Sequence, residues 1–465
     1  MIMRVEQIYT KCLAQASYYI ESNGEAVVID PLRDVDKYIS FANKSKSKIK
    51  YIIETHFHAD FVSGHLTLSN LSGAQIIFGP NADPEFNAII ADDNQVFNFG
   101  NASLTTIHTP GHTLESTSFL LRDEKGKEFA IFTGDTLFLG DVGIPDVAQR
   151  YRGVSKEELA GILYDSINYR IKPLPDDILV YPAHGAGSAC GKNMMKETVD
   201  TLRNQKLINY SINGTLSKEE FVIKLTENLP EPPSYFPYNV KLNQQGYEDL
   251  DVVISKNLNP LKYKDFQESK FKNVVLLDCR SPKSFYKGFI KGSINIGLNG
   301  QFAPWVGAIL NPNDKLLIIA DKGFELEAIT RLARVGYDNV IGYLDGGIDS
   351  YKGSLDAIVN IKPEEVKDKI NTGHQQIIDV RNSSEHSNGY VSNSTHIPLK
   401  DLLQNLSLLN KEDNIMVYCA GGYRSMIACS LLSSNGFNNV INIDGGYIKL
   451  SKQDINIIDC KSCSI

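Results

Sequence analysis

The C-terminal half of the chain is written twice. Val274–Ser281 reads VVLLDCRS and Gln376–Asn382 reads QIIDVRN, and their aspartates, Asp278 and Asp379, lie 101 residues apart. Leu344-Asp345-Gly346-Gly347 returns as Ile443-Asp444-Gly445-Gly446 after 99 residues. Two markers with nearly equal offsets require two tandem domains of roughly 100 residues each. In each copy apolar runs (LLIIAD, NIMVYCA) alternate with helical patterns (FELEAITRLARVG, SMIACSLLSSNG). That alternation predicts an α/β fold on a largely parallel sheet.

Two breaks set the boundaries. Leu229–Pro237 carries four prolines within eight residues. Proline lacks the amide donor and locks φ, so this stretch is expected to be a connector, neither strand nor helix. A softer break falls at Lys352-Gly353-Ser354, ahead of Pro363–Lys369, where the proline is placed for the first turn of a helix. The expected domains are residues 1–240, 245–358 and 359–465. In the first of them short strands are expected at Glu25–Ile29, Tyr51–Glu54, Gln75–Phe78, Leu104–Ile107 and Phe129–Phe132. Polar clusters follow several of these directly. The pattern reads as a sheet sandwich with helices outside and function on the loops of one edge.

Composition excludes some partners. A net charge of −8 argues against a nucleic-acid surface. No apolar run approaches the ~20 residues of a membrane helix, and the N-terminus lacks the apolar core of a secretory signal. The seven cysteines are odd in number and irregularly spaced, so a disulfide framework is not expected and a reducing cytoplasm is. Cys460-Lys461-Ser462-Cys463 is a lone CxxC without a second pair or a histidine, and no role is assigned to it.

Six of the nine histidines lie before residue 190, and they are expected in polar loops at strand ends. Tyr51–Glu54 runs into Thr55-His56-Phe57-His58-Ala59-Asp60 and on to His65; Ile107 into His108-Thr109-Pro110-Gly111-His112; Ile131-Phe132 into Thr133-Gly134-Asp135; Val180-Tyr181 into Pro182-Ala183-His184. Imidazole and carboxylate together suit Zn, Fe or Mn. Ligands distant in sequence but carried on loops of a rigid sheet are what a catalytic metal site needs.

These four motifs resemble the metallo-β-lactamase superfamily over residues 1 to about 230. The two-metal hydrolases of that superfamily end the first motif in a further histidine; here the position is Phe61, which leaves Asp60 and His184 for a second metal and favours a single one. THFHAD, TPGHT, TGDTLFLGDVG and YPAHG in this order are most similar to persulfide dioxygenases. That resemblance implies one Fe(II) per chain held by His56, His112 and Asp135, with His58, Asp60 and His184 orienting ligands or substrate. Two imidazoles and one carboxylate leave positions open for O2 and substrate. Ile144 stands where the family commonly has arginine, which removes an anion contact there. Cys190 is either a small buried residue at a helix start or a thiol lining the iron pocket, its pKa lowered by Lys192 and Lys196 nearby.

The second repeat carries Cys419-Ala420-Gly421-Gly422-Tyr423-Arg424-Ser425 between a strand and a helix. Such a loop turns several amides inward, and the helix start favours an anion such as a thiolate. IIDVRNSSEH, THIPL, VYCAGGYRS and NIDGGY resemble rhodanese domains, which implies a persulfide on Cys419 with Arg424 as the second catalytic residue, and bracing by Asp379, Arg381 and Glu385. No cysteine lies between residues 280 and 418, so Asp321 or a neighbour takes the nucleophile's place in the first repeat. That repeat is expected to be catalytically silent, a spacer or an oligomer surface through Phe302, Trp305 and Val306.

The expectation is therefore an αββα sandwich followed by two α/β rhodanese-like domains. Its expected chemistry is oxidation of low-molecular-weight thiol persulfides by O2 to sulfite, with sulfur transfer from Cys419 to sulfite giving thiosulfate. The chain is expected to be a homo-oligomer. A glyoxalase-II-like zinc thioester hydrolase fused to a sulfurtransferase is the alternative. A non-enzymatic sulfur carrier with a structural metal is a third reading, set against by the open ligand count and the loop cysteine.

Overall fold

The computed structural model describes residues 3–145, 153–229, 232–270, 273–370 and 375–458. It divides into two compact units, Met1–Val253 with Leu332–Gly336, and Ile254–Arg331 with Tyr337–Ile465.

The first unit holds two six-stranded sheets. One runs β1(Arg4–Thr10), β2(Gln15–Ser22), β3(Glu25–Ile29), β4(Lys48–Ile53), β5(Gln75–Phe78) and β6(Ile89–Ile90) in that spatial order. Its first three strands are antiparallel and its last four parallel. The other sheet is built from β7(Val96–Phe99), β8(Ala102–His108), β9(Thr117–Arg122), β10(Glu128–Gly134), β11(Leu179–Pro182) and β12(Asp200–Thr201), which are also spatial neighbours in sequence order.

Alternation along the strands decides what faces what. Tyr18, Ile20, Val27, Ile29, Ile53 and Ile77 of the first sheet meet Leu104, Phe119, Leu121 and Phe132 of the second in one core. The residues between them point the other way. Ile107, Leu120, Ile131 and Val180 pack outward with Leu163, Ile167, Leu202 and Phe221. Those partners come from helices and turns over 156–171, 202–208 and 218–226. On the far side, Asp36–Ser45 lays Phe41 on Tyr19, and His65–Ser72 covers β4 and β5. The result is the four-layer sandwich expected from sequence.

The second unit contains two five-stranded parallel sheets of one topology. The first orders β13(Pro260–Leu261), β17(Val340–Leu344), β16(Leu316–Ile319), β14(Val275–Asp278) and β15(Ile294–Asn295). The second orders β18(Val359–Ile361), β23(Val440–Ile443), β22(Asn414–Tyr418), β19(Gln375–Asp379) and β21(Ser394–His396), and a separate pair is formed by β20(Tyr390–Val391) and β24(Ile457–Ile458). Each repeat carries the same internal brace. Arg280 grips Asp278 at 2.6 Å and the Gly288 carbonyl at 2.9 Å. Arg381 grips Asp379 at 2.6 Å and the Gly389 carbonyl at 2.8 Å.

Three expectations are corrected. The proline-rich connector is helical at its end: Phe236–Gln245 is a helix with Pro237 in its first turn, where no amide donor is needed; Pro230 and Glu231 lie outside the described residues. His65 is not in a loop but opens the helix His65–Ser72. Phe302 and Val306, four residues apart on the helix Phe302–Ile309, are fully buried within the chain, so these two of the three residues expected at an oligomer surface offer none, while Trp305 is half-buried. Cys460 and Cys463 lie outside the described residues.

Candidate metal centre and cysteine loop

The loops leaving β4, β8, β10 and β11 converge. His56, His112 and Asp135, all buried, bring one ligand atom each to within 4.8 Å of the others. Asp135 Oδ2 lies 3.5 Å from His112 Nε2 and 4.0 Å from His56 Nε2. The outer nitrogens are already committed. Thr55 Oγ1 donates to Asp30 Oδ2 at 2.9 Å, which leaves it to accept from His56 Nδ1 at 3.0 Å. His112 Nδ1 donates to the Ile144 carbonyl at 2.7 Å. Both rings thus keep an Nε2 lone pair for the centre. The His112 loop is pressed against the neighbouring helix: Gly111 has φ 139°, and a Cβ there would stand 2.4 Å from Leu163 Cα, so only glycine serves.

The donor set suits a cation. Asp135 is 1% exposed, and among the described residues neither of its oxygens accepts a hydrogen bond from a nitrogen or hydroxyl. Burial pushes the carboxyls of Asp135 and Asp60 up to about 6. A divalent ion would offset that desolvation.

His58, Asp60 and His184 form a second buried group, and Asp135, His184 and Cys190 a third. His184 Nε2 lies 3.6 Å from both Asp60 Oδ2 and Asp135 Oδ1. The structure therefore adds His58 to the two side chains expected beside a second metal. His58, however, turns its Nε2 to Asp30 Oδ1 at 3.1 Å and Glu54 Oε2 at 3.3 Å. Burial alone would lower its pKa, but the carboxylates of Asp30 and Glu54 outweigh it and raise it well above the usual imidazole value. Phe61 packs its ring against that of His58, tilted by 32°, with centroids 4.4 Å apart.

Cys190 is buried beside this group, and no helix starts there. Lys192 does not serve it: its ammonium donates to the carbonyls of Leu225 at 2.8 Å and Glu227 at 2.6 Å. Ile144 is 2% exposed in the helix-side core, so no anion meets a cation at that position.

Sequence reasoning missed Asp30, Glu54 and Asn243. Asp30 and Glu54 follow apolar strands, the same signal that marked the histidines. Asn243 had none. It sits in the helix Phe236–Gln245, fully buried, and spends its amide on the metal loop. Nδ2 donates to the carbonyls of His58 and Phe61, each at 2.8 Å, and Oδ1 accepts from Ser63 N at 2.8 Å. Asn243→Ala would orphan three buried backbone groups. We expect metal to leave for a chelator at least about 10-fold faster than from the parent, read as chelate absorbance against time.

In the second repeat Cys419 follows β22 and is 1% exposed. Gly422 N donates to its sulfur at 3.1 Å, and Ser425 Oγ lies 3.6 Å away. The loop rests on the helix Gly446–Leu450: Tyr447 N donates to the Cys419 carbonyl at 2.7 Å and Ile448 N to the Ala420 carbonyl at 3.1 Å. A Cβ on Gly421 would meet nothing within 4 Å, so the loop crest is open. Arg424 commits its guanidinium to Glu385 at 2.6 and 2.7 Å. Its charge is compensated, and the sulfur faces the Gly422 amide and the Ser425 hydroxyl.

Register identifies the silent position. Asp379 pairs with Tyr418, and Asp278 pairs with Ile319, so the residue after Ile319, Ala320, is the counterpart of Cys419. A Cβ on Gly347 would stand 2.9 Å from the Ala320 carbonyl, as one on Gly446 would stand 2.2 Å from that of Cys419. Asp321 is one residue beyond, exposed. A methyl group carries no sulfur.

Residues 10–184 match the metallo-beta-lactamase superfamily, and residues 263–354 and 362–453 each match the rhodanese-like domain. The mitochondrial persulfide dioxygenase ETHE1 of Homo sapiens is 33% identical over 211 residues, 45% of this chain and 74% of that protein. The cytoplasmic hydroxyacylglutathione hydrolase of Arabidopsis thaliana is 30% identical over 181 residues, 38% of this chain and 66% of that protein. A crystal structure of a metallo-beta-lactamase from Staphylococcus aureus is similar with a TM-score of 0.65 and 33% identity, over 74% of this chain and 99% of that one.

Proposed function

The chain belongs to the metallo-β-lactamase superfamily, with a domain homologous to persulfide dioxygenases and two rhodanese-like domains behind it, and on that premise we propose that it oxidises low-molecular-weight thiol persulfides and passes sulfane sulfur through Cys419. The observation that carries the reading is the buried triad of His56, His112 and Asp135 beside a His58 turned away to two carboxylates. Two neutral imidazoles and one carboxylate are the donor set of mononuclear Fe(II) oxygenases. Iron(II), when bound there, supplies the electrons through which O2 becomes reactive toward sulfur.

The chain's own residues do the rest. Thr55 and the Ile144 carbonyl fix the rings of His56 and His112. His184, between Asp60 and Asp135, is placed to hold or release a proton as the thiol leaves. The balance is one persulfide, one O2 and one water giving thiol, sulfite and two protons.

At Cys419 a thiolate takes the outer sulfur of a second persulfide and releases its thiol. Sulfite then takes that sulfur, the S–S bond to Cys419 breaks, and thiosulfate leaves. The Gly422 amide, 3.1 Å from the sulfur, stabilises the thiolate at each end of the cycle. Covalent fusion keeps newly made sulfite at a high effective concentration for this step. The five described cysteines are free, which suits a reducing compartment such as the cytoplasm. Among the described residues no helix is long and apolar enough to cross a membrane.

A second reading, thioester hydrolysis at a two-metal centre, draws on the grouping of His58, Asp60 and His184. The two part company on substrate. With a persulfide, the first expects O2 uptake matched by sulfite plus thiosulfate; hydrolysis of S-D-lactoylglutathione without O2 uptake would favour the second.

A further inference from the structure

We propose that the nucleophile-free middle repeat is the brace of the sulfur-transfer loop, holding Tyr423 so that the Gly422 amide stays aimed at Cys419. The helix Tyr423–Ser434 starts at the loop, and two of its hydrogen bonds to the middle repeat lie on one face, seven residues apart. Tyr423 Oη donates to the Gly297 carbonyl at 2.7 Å. Ser430 Oγ accepts from Asn295 N at 2.9 Å.

The receiving segment is itself fixed. Leu298 N donates to the Cys279 carbonyl at 3.0 Å, and Arg331 Nη1 donates to the Leu298 carbonyl at 2.7 Å. Gly300 lies against the Tyr423 ring so closely that a Cβ there would stand 2.4 Å from it. Tyr423 therefore points away from the sulfur and into the neighbouring repeat. It is a positioning residue: it touches no reacting atom. Its peptide nitrogen is bonded to Gly422, whose φ is 104° and whose own amide meets the Cys419 sulfur at 3.1 Å. An anchor one residue away holds that peptide in a conformation it would otherwise leave. The middle repeat can thus lose its cysteine, with Ala320 in its place, and still be required for sulfur transfer.

The inference rests on the sulfur-transfer reading of Cys419, and its test separates the two. In the full chain, Tyr423→Phe deletes the anchor's hydrogen bond, and Gly300→Ala displaces the ring from the other side. Transfer from thiosulfate to cyanide and hydrogen–deuterium exchange of the 419–424 amides are measured in both. The brace predicts kcat about 10-fold lower with KM within about twofold, and loop exchange about 10-fold faster, at unchanged circular dichroism. Parent-like kcat and parent-like exchange in both variants would overturn it. Faster exchange in a chain whose parent transfers no sulfur would keep the brace and sink the sulfur-transfer reading instead.

Discussion

Oxygen consumption on a persulfide is expected to fall more than about 100-fold when His112 is replaced by alanine, while sulfur transfer at Cys419 is expected to stay measurable. His112 Nε2 lies 3.5 Å from Asp135 Oδ2, and its other nitrogen is held by Ile144. Removing the ring leaves one imidazole and one carboxylate. Changes to groups that merely orient a ligand cost about 10–100-fold in metal affinity or activity, so loss of a ligand costs more. Cys419 belongs to the second compact unit, with its own sheet and its own loop donors. Transfer from thiosulfate to cyanide should therefore persist. Loss of both activities in a variant with parent-like circular dichroism would mean that the two centres are not independent modules.

The second large effect is at Cys419. Cys419→Ser keeps the size of the side chain and removes the sulfur acceptor, since a serine hydroxyl has no thiolate-like state near pH 7. The proposed persulfide oxidation draws only on residues of the first unit, so O2 uptake should stay near the parent rate. Thiosulfate should fall at least about 100-fold and sulfite accumulate in its place, read by thiol-labelling chromatography of the products. Undiminished thiosulfate would place the transfer elsewhere, with Cys190, buried beside Asp135 and His184, the first residue to replace.

Much of this was legible because ligand loops follow apolar strands. Glu25–Ile29 and Gln75–Phe78 are strands with the expected bounds, and the other three expected strands lie largely within longer ones. The two repeats share one strand order, as their spaced markers implied. What sequence could not show was which way a side chain turns. HxHxD does not say that His56 faces Asp135 while His58 faces Asp30 and Glu54. Nor does a loop containing arginine say that Arg424 is tied to Glu385. Asn243 was invisible because its partners are backbone groups 180 to 185 residues away, which leave no pattern in the side chains. Phe302 and Val306 look like any apolar stripe; whether it meets another chain or its own is decided by packing alone. Sequence left the counterpart of Cys419 at Asp321 or a neighbour, and strand register places it at Ala320.

The central claim is a single iron that oxidises persulfide sulfur. It is tested by measuring the metal content of protein purified without added metal, together with O2 uptake by the same sample on a low-molecular-weight thiol persulfide. The account predicts about one iron per chain and O2 uptake matched by sulfite plus thiosulfate. Two tightly bound zinc ions per chain, with thioester hydrolysis and no O2 uptake, would contradict it.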